Sequence, residues 1–340
     1  MMNWKIAAAG AALAMVVAAP AVAGPTLDAV KQRGTLNCGV NDGLAGFGAP
    51  NDKGEWAGLD IDLCRAVAAA LFDDAKKVKY IPLTAKERFT ALQSGEVDML
   101  ARNTTWTLSR DTGLGFDFAG VNYYDGQGFM VRKSLGVKSA KELNGASVCV
   151  QTGTTTELNL TDYFRTNSME LKPVVFEKAE EARTAYDEGR CDAYTTDASG
   201  LAAERSVLKQ PDEHIILPEI ISKEPLGPLV RHGDNEWGDV VRWSLNAMVI
   251  AEEFGITSEN VDKIKAESTN PEIRRMLGVE GDMGQQLKVN PDWAYQIIKQ
   301  VGNYGESFER NVGEKTPLHL ARGLNQLWSK GGLLYAPPIR

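Results

Sequence analysis

Residues 95–110, GEVDMLARNTTWTLSR, restrict the possible folds more than any other stretch of this chain. Val97 to Ala101 is a short apolar run bounded by Gly95 on one side and by Asn103, Thr104 and Thr105 on the other, the pattern of a strand buried in a sheet. A hydroxyl-rich loop then ends on one arginine, Arg110. In an open α/β sheet, ligands sit beyond the carboxyl ends of the strands, where a guanidinium can hold a carboxylate through paired hydrogen bonds. Arg110 is therefore a candidate anion clamp. The structural alternative is a surface arginine paired with Asp111.

Upstream, Leu36 to Val40 reads as a strand, and the aspartates of Gly58-Leu59-Asp60-Ile61-Asp62 suit a helix start. Ile61, Cys64, Val67, Ala68 and Leu71 then recur at helical spacing. Lys77 to Leu83 alternates as a strand stopping at Pro82, and Glu87 to Ser94 is a short helix with Phe89 and Leu92 inward. Strand, helix, strand, helix, strand implies parallel βαβ units. The loop Asn41 to Gly48 has glycines at 43, 46 and 48, which do not fit the dinucleotide pattern, so no nucleotide cofactor is expected. Phe47 within it is either a wall aromatic or a core residue.

The second half repeats this order. Ala146 to Val150 is a strand, followed by Thr154-Thr155-Thr156-Glu157, whose Thr154 and Glu157 have capping-box spacing. The helix start would present free N–H groups and a positive dipole end to an anion. Val174 to Phe176 is a strand, Ala179 to Glu188 a helix, and Cys191 to Thr195 a strand leading to Asp197, which could simply cap the next helix. Gln127 to Arg132 and Leu226 to Arg231 read as crossing strands between halves, and Trp237 to Phe254 as a helix stopped by Gly255. From Asp292 two further helices are expected, the last starting at Thr316-Pro317 with Leu320, Leu324 and Leu327 as its stripe.

Lys5, the apolar run Ile6 to Ala19 and the small residues Ala21-Val22-Ala23 have the form of a secretory leader cleaved after Ala23. The run is shorter than the roughly 20 residues of a spanning helix, and no cysteine at the cleavage point offers a lipid anchor. Loss of Lys5 with the leader takes the formal charge from −8 to −9, which argues against nucleic acid as a partner. The even count of 4 cysteines suits an oxidising compartment. Their coarse placement favours Cys38–Cys64 and Cys149–Cys191. No C-x-x-C pair occurs and His214, His232 and His319 are scattered, so no metal is expected.

Five segments, in order, resemble the amino-acid-binding proteins of polar amino-acid ABC importers, solute-binding protein family 3: GLDIDLCRAVAAAL, LQSGEVDML with NTTWTLSR, FDFAGVNYY, GTTTE and GRCDAYTTD. The resemblance runs from about Thr35 to Arg231 and is closest to the general L-amino-acid binders. It implies a two-lobed type II periplasmic-binding-protein fold of class α/β, each lobe an open mainly parallel sheet flanked by helices, joined by two crossing strands. The expected boundaries are a leader over 1–23, lobe 1 over 24–126 and 228–290, lobe 2 over 127–227 and a C-terminal helical extension over 291–340. By the same resemblance Arg110 holds the ligand's α-carboxylate with Asn103, Thr105 and the Thr154, Thr155 and Thr156 loop, and Asp197 takes its ammonium. A monomeric periplasmic protein serving a membrane-embedded ABC permease is implied, without cofactor or catalysis. Where relatives often sandwich the ligand between aromatics, this chain has Leu44 and Ala85, which implies a roomier pocket and broad specificity. The rival is a cyclohexadienyl dehydratase-like enzyme on the same fold, but no loop segment offers a histidine or spare carboxylate as general acid.

Overall fold

The protein is described from a computed structural model covering residues 25–340. The leader and its cleavage point after Ala23 lie outside the described residues. Helix α1 (Pro25–Arg33) runs into β1 (Leu36–Asn41), and a small ribbon of β2 (Ala49–Pro50) and β3 (Trp56–Ala57) closes the glycine-rich loop. Then come α2 (Leu59–Phe72), β4 (Val78–Leu83), α3 (Arg88–Ser94) and β5 (Met99–Leu100). β1 pairs in parallel with both β4 and β5, as the strand–helix alternation requires. β6 (Phe116–Phe118) and β7 (Tyr123–Asp125) finish this part.

The second sheet is built from β8 (Gln127–Arg132), β9 (Ser147–Gln151), α4 (Thr155–Thr166), β10 (Lys172–Phe176), α5 (Ala179–Asp187), β11 (Ala193–Asp197), α6 (Ala198–Ser206) and β12 (His214–Ile216). Its order is β10-β9-β11-β8-β12, with β9 parallel to β10 and β11 and with β8 antiparallel to β11 and β12. The chain returns through β13 (Glu224–Leu226), antiparallel to β7, and β14 (Leu229–Arg231) completes the first sheet in the order β4-β1-β5-β14-β6. Two sheets joined by one antiparallel pair make a two-lobed α/β molecule.

The crossing is therefore β7 with β13, not Gln127–Arg132 with Leu226–Arg231. Gln127 to Val131 are all buried because β8 has a strand on each side, and an apolar run of that kind marks a sheet interior. Pro82 does not stop its strand either. β4 is the edge of its sheet, where a missing N–H costs no ladder bond.

α2 is buried on nearly every face, from Leu59 to Leu71 with only Arg65 half-exposed, rather than along one stripe. Its aspartates do not cap it. Gly58 holds the cap position at φ 137°, and a Cβ there would lie 2.1 Å from Phe47 O. Asp62 instead accepts from Ser307 Oγ at 2.7 Å, Asn311 Nδ2 at 2.7 Å and Arg310 Nη2 at 2.5 Å.

Those partners belong to the C-terminal segment. α7 (Asn235–Glu253) is followed by α8 (Val261–Glu267), α9 (Pro271–Met276), α10 (Met283–Gln286), α11 (Trp293–Gln300) and α12 (Tyr304–Asn311). α11 buries Trp293, Ala294, Ile297 and Ile298 against α2 and α7, in the same core as the first sheet. The helix expected from Thr316 does not form. His319 and Gly323 have positive φ, Leu324 is 56% exposed, and the chain makes only single turns at Gly323–Asn325 and Trp328–Lys330. No helix among the described residues is long and apolar enough to cross a membrane.

Cys38 of β1 bonds Cys64 of α2, and Cys149 of β9 bonds Cys191 just before β11, so each sheet has one bridge tying it to its own lobe. The 42-residue separation of the second bridge corresponds to about 4 kcal/mol of loop-closure entropy removed from the unfolded chain. Replacing Cys149 and Cys191 by alanine is expected to lower the urea unfolding midpoint of the protein accordingly. An unchanged midpoint would show that the bridge does not restrict the unfolded ensemble.

Candidate functional site

Beyond the carboxyl ends of β1 and β5 the chain turns sharply. Asn103 adopts φ 44°, a conformation asparagine tolerates, and its N–H donates to Asp60 Oδ2 at 2.9 Å while Asn41 Nδ2 donates to its side chain at 3.2 Å. Arg88, the first residue of α3 and 2% exposed, donates from Nη1 to Thr104 Oγ1 at 3.2 Å, and Arg102 Nε donates to Leu83 O at 3.0 Å. This network fixes the wall of a cavity between the two lobes, lined by Arg88, Arg102, Asn103 and Thr105 from lobe 1.

The facing wall is the start of α4. Thr154 is its N-cap, accepting from Glu157 N at 3.1 Å. The return half of the expected capping box falls one residue early, since Glu157 Oε2 accepts from Gly153 N at 3.0 Å and Thr152 Oγ1 at 3.1 Å. Thr155 Oγ1 lies 3.3 Å from Thr105 Oγ1 across the cleft and donates to Glu224 Oε2 at 2.8 Å. Thr154, Thr155, Thr156 and Asp197 line the cavity from lobe 2 and face Asn103 and Thr105 of lobe 1 across it.

Asp197 stands at the N-cap position of α6 yet makes no capping hydrogen bond. Its Oδ1 is buried and without a hydrogen-bond partner, as are Arg88 Nε and Arg102 Nη2 opposite. Burial pushes the Asp197 carboxyl well above the usual range, reinforced by Asp125 and Glu224 and opposed by Arg110 and Arg88. The cavity thus offers unfilled cationic donors on one side and an unfilled carboxylate on the other, which is the complement of a zwitterion.

Arg110 does not itself line the cavity. It sits in the turn Ser109–Gly113, 7% exposed, over the Phe89 ring at 5.2 Å, with Nη1 donating to Thr105 O at 2.9 Å, immediately behind the Thr105 wall. Burial lowers its pKa to about 10. Its partner is not Asp111, whose carboxylate takes Trp106 Nε1 at 2.8 Å.

Phe47 is not a wall aromatic. It is 1% exposed in the lobe 1 core, edge-on to Tyr123 at 5.3 Å, because the Gly46–Gly48 turn folds it under the loop while Leu44 faces the cavity. Ala85 is fully buried and likewise absent from the lining. Arg88, Arg102 and Glu204 were missed. Arg102 follows its strand directly, a signal the same logic could have used; Arg88 and Glu204 lie on helices and read as solvent charges. His232 Nε2 lies 3.3 Å from Asp117 and 3.7 Å from Asp111 on the lobe 1 surface, a grouping with carboxylates that sequence spacing does not reveal. His214 bonds Tyr186 Oη at 2.7 Å in lobe 2.

Residues 36–259 match the family model for bacterial extracellular solute-binding proteins, family 3. The chain belongs to that family. It is 61% identical, over the whole length of both chains, to the general L-amino acid-binding periplasmic protein AapJ of Rhizobium johnstonii. It is 60% identical to the glutamate/glutamine/aspartate/asparagine-binding protein BztA of Rhodobacter capsulatus, across 97% of each chain. Among solved structures, a Brucella ovis ABC transporter periplasmic binding protein with glutathione bound superposes with a TM-score of 0.91 at 63% identity, covering 93% of this chain and 99% of that one. This family 3 member is accordingly a periplasmic solute-binding protein and not an enzyme, which removes the dehydratase alternative.

Asp60 and Asp125 are each pushed up to about 6, chiefly by burial, from an ordinary 3.8. Both bind protons more tightly folded than unfolded, so their contribution is full below about 3.8 and is lost as pH rises through about 6. The ligand-free protein is expected to melt higher at about pH 5 than at about pH 7.5. Scanning calorimetry showing the reverse trend would contradict the burial of these carboxylates.

Proposed function

We propose that this family 3 protein captures L-α-amino acids between its lobes and delivers them to a membrane-embedded ABC permease. The unpartnered Asp197 Oδ1, facing arginine donors across a polar cavity, is the observation that favours it. Asp197 takes the ligand's ammonium. Arg110, reaching past Thr105, takes the α-carboxylate together with Asn103, Thr105 and the hydroxyls and N–H groups of Thr154, Thr155 and Thr156 at the start of α4.

The relatives' names support recognition of the head group with latitude in the side chain: one is a general L-amino-acid binder, another takes glutamate, glutamine, aspartate and asparagine. Glutathione, bound to the Brucella ovis protein, ends in a γ-glutamyl group with the same free ammonium and α-carboxylate. Aliphatic Leu44 on the wall, where an aromatic would stack, leaves room for varied side chains. The protein acts as a monomer, its leader removed after Ala23, with lobe 1 over 24–126 and 228–290, lobe 2 over 127–227 and residues 291–340 as an addition to lobe 1.

Titration calorimetry of ligand-stripped protein with the proteinogenic L-amino acids should show binding across several side-chain classes, and binding confined to one class would overturn the breadth. Arg110→Ala and Asp197→Asn should each weaken every ligand by about 100-fold or more, since each leaves an opposite charge of the ligand unpaired. Retained affinity in either variant would overturn the assignment of the head group.

A further inference from the structure

Besides Arg110, which the proposed head-group contacts use, two guanidiniums remain at the cleft: Arg88, whose Nη1 donates to Thr104 Oγ1 at 3.2 Å, and Arg102. Arg102 leaves the sheet at the end of β5, 4% exposed, and Nε donating to Leu83 O at 3.0 Å fixes the plane of the group. Nη2 has no hydrogen-bond partner, because the nearest opposite charge, Asp42 Oδ1, stands 3.7 Å away. A buried donor in this state is costly unless something entering the cavity supplies an acceptor.

The shape of the cleft indicates which part of a ligand arrives there. A second cavity adjoins the first, sharing Asn41, Ala179 and Glu204 in its lining and bordered also by Asp42, Lys178 and Arg183. Arg102 and its neighbour Asp42 stand at this junction. An α-amino acid held by its head group has only its side chain left to extend in that direction. Glu204, on the opposite wall, has its Oε2 taken by Arg183 Nη1 at 3.0 Å. Asp42 and Asp60 both offset the Arg102 charge, so a neutral carbonyl oxygen suits the free N–H as well as an ionised one does.

We infer that Arg102 ranks side chains: within the amino-acid range proposed above, on which this inference rests, the cleft holds tightest those bearing an acyl oxygen, carboxylate or carboxamide, that accepts from Arg102 Nη2. An apolar side chain of equal length fits but leaves the donor unfilled, which is the kind of loss that discriminates strongly.

L-Glutamine and L-norleucine have side chains of equal length, the carboxamide of the first standing where the second has its last CH2 and CH3. Calorimetry on the ligand-stripped wild-type protein should give glutamine an affinity about 10- to 100-fold higher. Arg102→Met should bring the ratio towards one by weakening glutamine, with norleucine changed less than about threefold, and Arg102→Lys should restore part of the preference. A wild-type ratio near one overturns the inference, and it needs no variant to fold. Equal weakening of both ligands in Arg102→Met, with the melting transition intact, also overturns it, because a purely structural arginine would act on both alike. Absence of binding by either ligand to the wild-type protein would instead strike the amino-acid reading itself.

Discussion

Buried polar atoms without hydrogen-bond partners set the terms for everything else in this molecule. Asp197 Oδ1, Arg88 Nε and Arg102 Nη2 are all buried around one cavity and none of them meets another. Breaking a buried ion pair by removing one member costs on the order of 3–5 kcal/mol, so these groups weigh heavily on how closely the two walls can approach. Asp125 and Glu224 stand close enough to Asp197 to add like-charge repulsion. Against this, direct contact across the cleft is slight: a hydroxyl pair between Thr105 and Thr155 and close approach of Gly153 to Lys86. A zwitterion that fills both sides at once therefore binds the closed form better than the open one, and that difference in affinity is what closure requires.

The site and the crossing strands are one structure rather than two. β13 is flanked on one edge by β7 and on the other by the loop that bears the site, through Trp106 N to Pro225 O at 2.8 Å and Gly227 N to Thr104 O at 3.0 Å. Pro225 sits in this ribbon without loss, because Tyr124 opposite it turns its own N–H and C=O outward. Glu224, on the same strand, accepts from Thr155 Oγ1 and from Asn159 Nδ2 at 2.7 Å. Thus a change in the angle between β7 and β13 is felt by Thr105 on one lobe and by the first turn of α4 on the other.

The parts of this arrangement that were legible in sequence are those governed by local chemistry. Parallel strand order followed from the strand–helix alternation, the α4 cap from Thr154 and Glu157, and the cysteine pairs from their placement on neighbouring elements. What escaped depended on tertiary surroundings. Asp60 and Asp62 carry the sequence signature of a cap, but a glycine forced by the passing Phe47 carbonyl took that position and left both carboxylates to distant partners. The Leu320, Leu324 and Leu327 stripe has helical spacing, yet Leu324 points to solvent because the chain there is shaped by the groups it packs on. A buried arginine such as Arg88 looks like any surface charge until the loop that encloses it is known.

The C-terminal residues show why those groups matter to the crossing. Asn325 imitates a third strand beside β7, its Nδ2 donating to Tyr124 O at 3.1 Å and its Oδ1 accepting from Tyr124 N at 2.7 Å. Tyr304 Oη donates to Asn122 O at 2.7 Å, and Tyr123 stacks on Phe308 at 6.2 Å. Bending the chain at Tyr123 or Tyr124 would have to break these bonds together, in a region belonging to the large lobe 1 core. Two residues further on, Gly126 is held by other groups: its O accepts from Ala198 N at 2.8 Å, its N–H donates to Asp125 Oδ1 at 2.8 Å, and a Cβ there would lie 2.2 Å and 2.7 Å from Ile220 and Ser222. The C-terminal residues thus tie β7 to the lobe 1 core, while the chain just beyond it is tied to lobe 2, through Ala198 N to Gly126 O at 2.8 Å and Gln127 N to Ser222 Oγ at 3.2 Å. Lobe 1 and lobe 2 therefore each hold their own end of the crossing, and the change of partner falls between Tyr124, bonded to Asn325, and Gly126, bonded to Ala198.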